Sequence, residues 1–260
     1  MVKFVPGLCL FLCFFLIGQQ VIAGTRSPEV EDSKYIEYGS QHKCVLPICG
    51  ILGDKLNSQF KASCVMIDEY HFITAAHVIM GSITQHVIYN NEAYPCAILA
   101  AHIDFDFDKI GSNDIAIGRL QRPIKLDFYP SLYTDKDEKD KICSISGYGF
   151  PGTFKTGYIQ SKFDNIRRAG SNIIDESSKY LLKISAHKGA NTSLEFLISP
   201  GDSGGGLFID QKLAGINSYV YATDGKSNAD YGDISCHTRI STHAEWIEKT
   251  KKTIEEILKK

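Results

Sequence analysis

The chain has 260 residues, a length that suits one large domain or two small ones. Apolar residues make up 43% of it and charged residues 22%, which predicts a packed core and excludes an intrinsically disordered protein. The formal net charge is -2, and no basic surface is concentrated in the sequence, so the composition disfavours binding to nucleic acid.

The first 23 residues have the pattern of a secretory signal peptide. Lys3 supplies a positive charge, Leu8–Ile17 is almost wholly apolar, and Val21–Ala23 offers the short side chains at which a signal peptidase cuts. We expect cleavage after Ala23 and a secreted, extracytoplasmic mature chain with no membrane attachment. The alternative is a transmembrane anchor, which the sequence disfavours because the apolar run is shorter than the roughly 18 residues typical of a span.

Six of the eight cysteines lie beyond the predicted signal peptide. An even number of cysteines in an oxidising compartment predicts disulfide bonds, although the sequence leaves their pairing open. The alternative is a zinc site, which is disfavoured because the cysteines are widely scattered and form no CxxC pair. The six residues are Cys44, Cys49, Cys64, Cys96, Cys143 and Cys236.

Short apolar runs separated by Gly, Asn, Asp and Pro follow one another along most of the mature chain. Such runs with regular turn signals predict short strands in an all-β barrel or sandwich. The predicted strands are Cys44–Ile51, Ala62–Ile67, Phe72–Ala76, Val87–Tyr89, Cys96–Ala101, Ile115–Leu120, Ile142–Ser146, Tyr180–Ser185, Gly206–Ile209 and Leu213–Tyr219.

Two further segments divide the chain. The charged run Thr134–Lys141 predicts an exposed connection between a first half over residues 24–133, which includes a polar leader, and a second half over residues 142–241. Apolar residues at helical spacing among Glu and Lys predict one amphipathic helix over residues 242–260, docked by its apolar stripe. That stripe consists of Trp246, Ile247, Ile254, Ile257 and Leu258.

Three short strings, TAAH, NDIA and GDSGG, contain His77, Asp114 and Ser203. A serine hydroxyl is a poor nucleophile until an imidazole removes its proton, and the imidazole needs a carboxylate to fix its tautomer. The three residues have these types, and each lies at the edge of a predicted strand. The glycines around Ser203 favour a turn whose backbone N–H groups point inward, so we expect the N–H groups of Gly201 and Ser203 to form an oxyanion hole.

Together the strings resemble the trypsin and chymotrypsin family of serine proteases, over nearly the whole mature chain. GDSGG is identical to the family motif, and TAAH is followed by Val78 where the family has a cysteine of a disulfide. Cys143–Gly149 resembles the segment that opens the second barrel, and Leu213–Tyr219 resembles the family's LxGIxSW strand. Thr238–Ile240 and the helix with Trp246 resemble the family's end. The order His, Asp, Ser is also that of the chymotrypsin fold.

The resemblance implies an all-β fold of two antiparallel six-stranded β-barrels with a C-terminal α-helix. His77 and Asp114 then fall in the first barrel and Ser203 in the second, with a cleft between them. The implied activity is that of a serine endopeptidase acting on protein or peptide substrates, without a metal or cofactor. The alternative function is a non-catalytic protease homologue that binds a partner.

The activation region departs from the family pattern. Family zymogens are cut after a basic residue, and the new amino terminus pairs with the aspartate before the nucleophile, which here is Asp202. Counting back from His77 reaches Lys34–Gly39, where Lys34 offers a cut but no Ile-Val-Gly-Gly follows. The sequence therefore favours the absence of the usual activation step, with Asp202 paired to a side chain as one alternative.

The specificity pocket departs from the trypsin subgroup. Six residues before the nucleophile that subgroup has Asp, whereas this chain has Leu197, so cleavage after Arg or Lys is disfavoured. Val220 stands where the family often has Gly and would narrow the pocket, with Ser235 near the opposite wall. We expect small or medium apolar side chains to bind there, and Ser218, Tyr219 and Val220 to present backbone to an extended substrate.

Overall fold

The computed structural model describes residues 24–52, 59–80, 82–109, 111–162 and 164–259, so the predicted signal peptide lies outside the described residues. Within them the chain forms 17 β-strands, three α-helices and two short 3₁₀ turns. The strands are β1 (Gly24–Arg26), β2 (Val45–Leu52), β3 (Gln59–Met66), β4 (His71–Thr74), β5 (Ser82–Tyr89), β6 (Glu92–Ala101), β7 (Ala116–Leu120), β8 (Ile142–Gly147), β9 (Pro151–Thr153), β10 (Gly157–Tyr158), β11 (Arg168–Ile173), β12 (Glu176–Ser177), β13 (Leu181–Ser185), β14 (Phe196–Leu197), β15 (Gly206–Ile209), β16 (Lys212–Tyr221) and β17 (Ile234–Arg239). The helices are α1 (Asp32–Gly39), α2 (Ala76–Ile79) and α3 (Ile240–Leu258).

The first half is a closed barrel of six antiparallel strands in the order β2–β3–β4–β7–β6–β5, with β5 pairing back onto β2. Apolar residues that face each other across β2 and β3, such as Val45 opposite Val65 and Ile48 opposite Ala62, are buried in its core. Closure pairs the strand edges, so the barrel has no open edge to protect. This half has the strand number that the family resemblance implies.

The second half is a seven-stranded antiparallel sheet in the order β11–β8–β15–β16–β17–β13–β12. A separate four-stranded sheet, β10–β9–β1–β14, contributes to the same core through Phe196 and Leu197. The predicted all-β class with two barrel-like halves and a C-terminal helix is confirmed. The second half differs from six closed strands because β9 and β14 pair with the N-terminal strand β1, and β10 pairs with β9, instead of closing the larger sheet.

Helix α3 returns from the second half to the first barrel. It begins at Ile240, two residues before the predicted start, and buries Ile247 and Ile254 in the barrel core. The far end of the predicted stripe is not docked, since Ile257 and Leu258 are 55% and 45% exposed. No helix of the described ranges is long and apolar enough to cross a membrane.

The charged connection between the halves is only partly exposed. Glu138 is fully buried, and its carboxylate receives both Nε and Nη2 of Arg239 at 2.8 and 2.6 Å and the hydroxyl of Ser241 at 2.7 Å. The prediction of a wholly solvated loop is therefore wrong at Glu138. A buried carboxylate requires a cation and hydrogen bonds, and here the start of α3 supplies them.

The predicted disulfide bonds are not seen among the described residues, whose six cysteines are all free thiols. Cys44, Cys64, Cys143 and Cys236 are buried, where they pack as small apolar side chains. Burial raises the pKa of Cys44 and of Cys236 to about 11, so these thiols are protonated and unreactive at neutral pH.

Candidate active site

His77 and Asp114 contact each other at the rim of the first barrel. His77 is the second residue of α2, just after β4 ends, and Asp114 lies two residues before β7. Nδ1 of His77 is 2.8 Å from Oδ2 of Asp114, and the backbone N–H of His77 donates to Oδ1 at 3.0 Å. Two contacts to one carboxylate fix the ring plane and hold the proton on Nδ1, which presents Nε2 as a proton acceptor.

Asp114 is fully buried and is also held by the second half of the molecule. The hydroxyl of Ser218, on β16, donates to Oδ2 at 2.5 Å, and that of Thr238, on β17, donates to the backbone carbonyl of Asp114 at 2.9 Å. Burial alone would raise the pKa of Asp114, but the hydrogen bonds and charge of His77 and the bond from Ser218 outweigh it, and the pKa is below its usual value. The carboxylate is therefore ionised at neutral pH, as is required to stabilise an imidazolium.

Ser203 lies in a tight turn between β14 and β15 that is braced by the first barrel. The backbone N–H of Ser63, on β3, donates to the carbonyl of Ser203 at 2.8 Å, and the Ser63 hydroxyl donates to the carbonyl of Gly201 at 2.9 Å. Gly201 has φ of 98°, a left-handed conformation that suits glycine. In the described part of the chain the N–H groups of Gly201 and Ser203 donate to no acceptor, so both can bind a ligand oxygen.

Asp202, between these two residues, is fully buried. Its carboxylate accepts the N–H groups of Gly149 and Ser199, both at 2.8 Å, and the Ser199 hydroxyl at 3.1 Å. Burial raises the pKa of Asp202 to about 6, although these hydrogen bonds and the charge of Arg168 lower it. Among the described residues no cation forms an ion pair with Asp202, so its charge is solvated by hydrogen bonds alone.

A cavity of about 180 Å³ opens beside Ser203. No charged residue lines it. Its lining residues are Ile198, Ser199, Pro200, Ser203, Ser218, Tyr219, Val220 and Ser227. The hydroxyl of Ser227 donates to the carbonyl of Val220 at 3.1 Å, so the loop that carries Ser227 lies against the cavity wall formed by β16.

The structure places three of the five predicted binding residues, Ser218, Tyr219 and Val220, at this cavity. Leu197 is fully buried on β14 and Ser235 on β17, and neither lines the cavity. The Ser235 hydroxyl instead accepts the N–H of the neighbouring Ile198 at 3.0 Å. Successive side chains of a strand point to opposite faces, so a one-residue offset in the short β14 segment decides whether Leu197 or Ile198 faces the cavity.

Sequence reasoning also missed Ser199, Pro200 and Ser227 as lining residues. Ser199 and Pro200 directly precede the GDSGG string, and this adjacency could have predicted their position at the cavity. Ser227 lies in a loop of Asp, Gly, Lys and Ser with no local sign of its position, because only the tertiary fold brings it onto Val220.

The N-terminal strand β1 pairs with the two strands that flank the hydrogen-bond donors of Asp202. Gly24 pairs with Pro151, two residues beyond Gly149, and the following residue Thr25 pairs with Leu197, two residues before Ser199. Gly24 has φ of +64°, and a Cβ there would lie 2.0 Å from Cζ of Phe196. The positive φ and the close approach of the Phe196 ring therefore require glycine at position 24.

The position reached by counting back from His77 is not such a strand. Lys34 lies inside α1, and the next residue, Tyr35, is fully buried with its hydroxyl donating to the carbonyl of Glu195 at 3.2 Å. Asp32, at the start of the same helix, forms a buried two-point ion pair with Arg168 at 2.8 Å. A cut after Lys34 would break a docked helix, so the structure disfavours activation there.

Comparisons with known proteins agree with this architecture. A protein-family model described as Trypsin matches residues 52–247. No curated protein sequence matches the chain. Among solved structures, neuropsin, a serine protease expressed in the limbic system of mouse brain, is similar with a TM-score of 0.62 and 20% sequence identity, and the match covers 82% of this chain and 96% of the neuropsin chain. At this identity the similarity to neuropsin concerns the fold alone.

Proposed function

This chain belongs to the trypsin family, and on that premise we propose that it is a secreted serine endopeptidase acting on protein or peptide substrates. The observation that carries the proposal is the bidentate contact of His77 with the buried Asp114, whose hydrogen-bond partner Ser218 lines the same cavity as Ser203. A protein that only bound a partner would have no use for an imidazole held in one tautomer by a buried, ionised carboxylate.

The proposed roles are those of the serine-protease mechanism. Ser203 Oγ attacks the scissile carbonyl while Nε2 of His77 accepts its proton, and the new C–O bond leaves a tetrahedral oxyanion that the N–H groups of Gly201 and Ser203 stabilise. His77 then donates the proton to the leaving amine as the C–N bond breaks, which gives an acyl-enzyme. Water, deprotonated by His77, hydrolyses this ester and restores the Ser203 hydroxyl. Asp114 stays ionised throughout and stabilises the imidazolium.

The cavity beside Ser203 supports a preference for small or medium apolar side chains on the acyl side of the bond. Its volume of about 180 Å³ is modest, and no carboxylate lines it. A Lys or Arg side chain in an uncharged cavity would lose hydration without gaining an ion pair, which disfavours cleavage after these residues. Val220 and Tyr219 limit how far a large aromatic side chain could enter.

The N-terminal strand bears on activation. If the signal peptidase cuts after Ala23, the mature chain begins at Gly24, whose strand lies between the two segments that donate hydrogen bonds to Asp202. Its new ammonium group would then be the cation that Asp202 lacks. In this scheme removal of the signal peptide itself orders the turn of Gly201 and Ser203, and no later cut is needed.

Labelling with a fluorophosphonate probe tests the proposed function. The mature protein, secreted from cells and confirmed by N-terminal sequencing to begin at Gly24, should be labelled at one serine, and Ser203→Ala should abolish the label. Thr238→Ser, which keeps the hydroxyl next to Asp114, serves as the folded control and should still be labelled. Folded wild-type protein that takes up no label would refute the enzymatic proposal and leave the binding homologue.

A further inference from the structure

A second cavity, of about 570 Å³, lies between the first barrel and the loop that precedes β11. We call it the basic cavity because of the cations around it. The residues that line it are Ser40, Lys43, Leu46, Pro47, Ile88, Tyr89, Asn90, Asn91, Lys125, Leu126, Asp127, Tyr148, Asn165 and Arg167. Leu46, Pro47 and Tyr148 give it an apolar wall, and the cations lie around that wall.

The positive charge of the basic cavity is not neutralised from within. It contains Lys43, Lys125 and Arg167 but only one carboxylate, that of Asp127, which lies 3.3 Å from Nζ of Lys43 and is largely exposed. Lys125 is exposed and has no ion pair in the described ranges. The basic cavity therefore carries an excess of two positive charges.

Arg167 is the inner cation of the three. Its guanidinium donates to the carbonyls of Gly39 and Val45 at 2.8 and 2.9 Å and to the Tyr148 hydroxyl at 3.2 Å, all of them neutral oxygens. A guanidinium held by neutral acceptors keeps its full charge for a ligand and is fixed in direction. Arg167 thus supplies a rigid positive centre, and Lys125 supplies a mobile one at the rim.

The basic cavity is connected to the turn of the candidate nucleophile through Tyr148 and Ser63. The backbone N–H of Tyr148 donates to the Ser63 hydroxyl at 3.0 Å, and Ser63 in turn contacts the carbonyls of Gly201 and Ser203. In the proposed function the acyl half of a substrate binds at β16 and the cavity beside Ser203. The leaving half of a peptide that crosses Ser203 would then extend away from β16, over the first barrel, where Pro47 pairs with Ser63 and lines the basic cavity.

We propose that the basic cavity binds an acidic side chain in the leaving half of the substrate, C-terminal to the cleaved bond. This inference rests on the proposed function and adds a substrate preference to it. An extended chain advances about 3.3 Å per residue, so an Asp or Glu within about four residues of the cut could reach Arg167 and Lys125. The protein substrates would then carry a small apolar residue before the cut and an acidic residue shortly after it.

Matched peptides provide the test. Internally quenched substrates would share one acyl half and differ only at the second to fourth leaving positions, with Glu, Gln or Lys placed there one at a time. We expect kcat/KM to be about five-fold higher for Glu than for Gln at one of these positions, mainly through KM, and the advantage to shrink in 0.5 M salt, which screens exposed charges. Equal kcat/KM for Glu, Gln and Lys at all three positions would overturn the proposal.

Variants locate the effect. Lys125→Glu should abolish the preference for Glu and favour the Lys peptide, whereas Lys125→Arg should keep it. The control Lys252→Glu changes the net charge equally at an exposed site on α3 and should leave the preference unchanged. If Lys252→Glu removes the preference as well, long-range charge and not the basic cavity is responsible. The wild type and Lys252→Glu should cleave a short substrate with a small amide leaving group at the same rate. A folded wild type that cleaves no substrate at all would count against the proposed function itself, whereas cleavage without a Glu preference would count only against the basic cavity.

Discussion

The two halves of the candidate active site are held in different ways. His77 and Asp114 are fixed by short side-chain hydrogen bonds within the first barrel and by two hydroxyls from the second half. The Ser203 turn is fixed mainly through backbone groups and through Asp202, a buried carboxylate that forms no ion pair with a cation of the described ranges. The His77–Asp114 pair is therefore complete as the chain folds, whereas the geometry of the Ser203 turn depends on how the charge of Asp202 is balanced.

The largest expected effect concerns the His77–Asp114 pair. Asp114→Asn keeps the shape of the side chain but offers His77 an amide in place of a carboxylate, which favours the wrong tautomer and cannot stabilise the imidazolium. We expect kcat for a peptide substrate to fall about 10⁴-fold, with circular dichroism unchanged. Asp137→Asn, at an exposed ion pair with Lys141 that lines neither cavity, is the matched control and should leave kcat for a short substrate unchanged. A loss of less than ten-fold at Asp114 would show that this half is not catalytic.

The second largest expected effect concerns the Ser203 turn and its support by Asp202. A mature chain that keeps two extra alanines before Gly24 has no ammonium group at the start of β1, so Asp202 lacks its proposed partner. We expect kcat/KM to fall by about 10²- to 10³-fold, the size of the loss when an oxyanion-hole donor is removed. Extension by two alanines after Lys259–Lys260 is the control and should have no effect. Equal activity of the N-terminally extended and native forms would contradict activation by removal of the signal peptide.

The extended form and the native form that begins at Gly24 should also differ in how the free energy of unfolding depends on pH. Burial raises the pKa of Asp202 to about 6 from the ordinary 3.8, so in the extended form the folded state holds a proton that the unfolded state has already lost between these pH values. Stability therefore falls as pH rises from about 4 to about 6, by about 3 kcal/mol in total.

Two forms isolate that contribution in urea denaturation measured from pH 4 to 7. Asp202→Asn in the extended form should remove most of the fall, because the amide does not ionise. The native form that begins at Gly24 should also show little fall, because an ammonium partner lowers the pKa of Asp202. A fall of the same size in all three forms would assign the pH dependence to other carboxylates.

Features that depend on neighbouring residues in the sequence could be predicted, whereas features that depend on contacts between distant residues could not. The candidate triad could be proposed from the sequence because three short strings with His77, Asp114 and Ser203 occur together in that order, and the short apolar runs predicted strands in both halves of the chain. The burial of Glu138 could not be foreseen, because its partner Arg239 is 101 residues away and a charge run looks solvated from its own composition. The position of Leu197 was equally hidden, since it depends on pairing with β1, at the other end of the chain.

The smallest expected effect concerns substrate preference and the wall of the cavity beside Ser203. Val220 lines the cavity with its side chain while its carbonyl is held by Ser227, so Val220→Gly should enlarge the cavity without a change in the cleft backbone that contacts substrate. We expect the ratio of kcat/KM for Phe over Ala before the cut to rise about 10- to 100-fold, with Val220→Ala intermediate, because each apolar group in such a pocket contributes about 1 to 3 kcal/mol. Arg before the cut should stay a poor substrate in all three forms, since no variant introduces a carboxylate. A wild-type enzyme that prefers Arg or Lys would show that a charge outside the cavity sets specificity. An unchanged Phe over Ala ratio in Val220→Gly would show that another residue limits the size of the cavity, and Tyr219 would be the next side chain to replace.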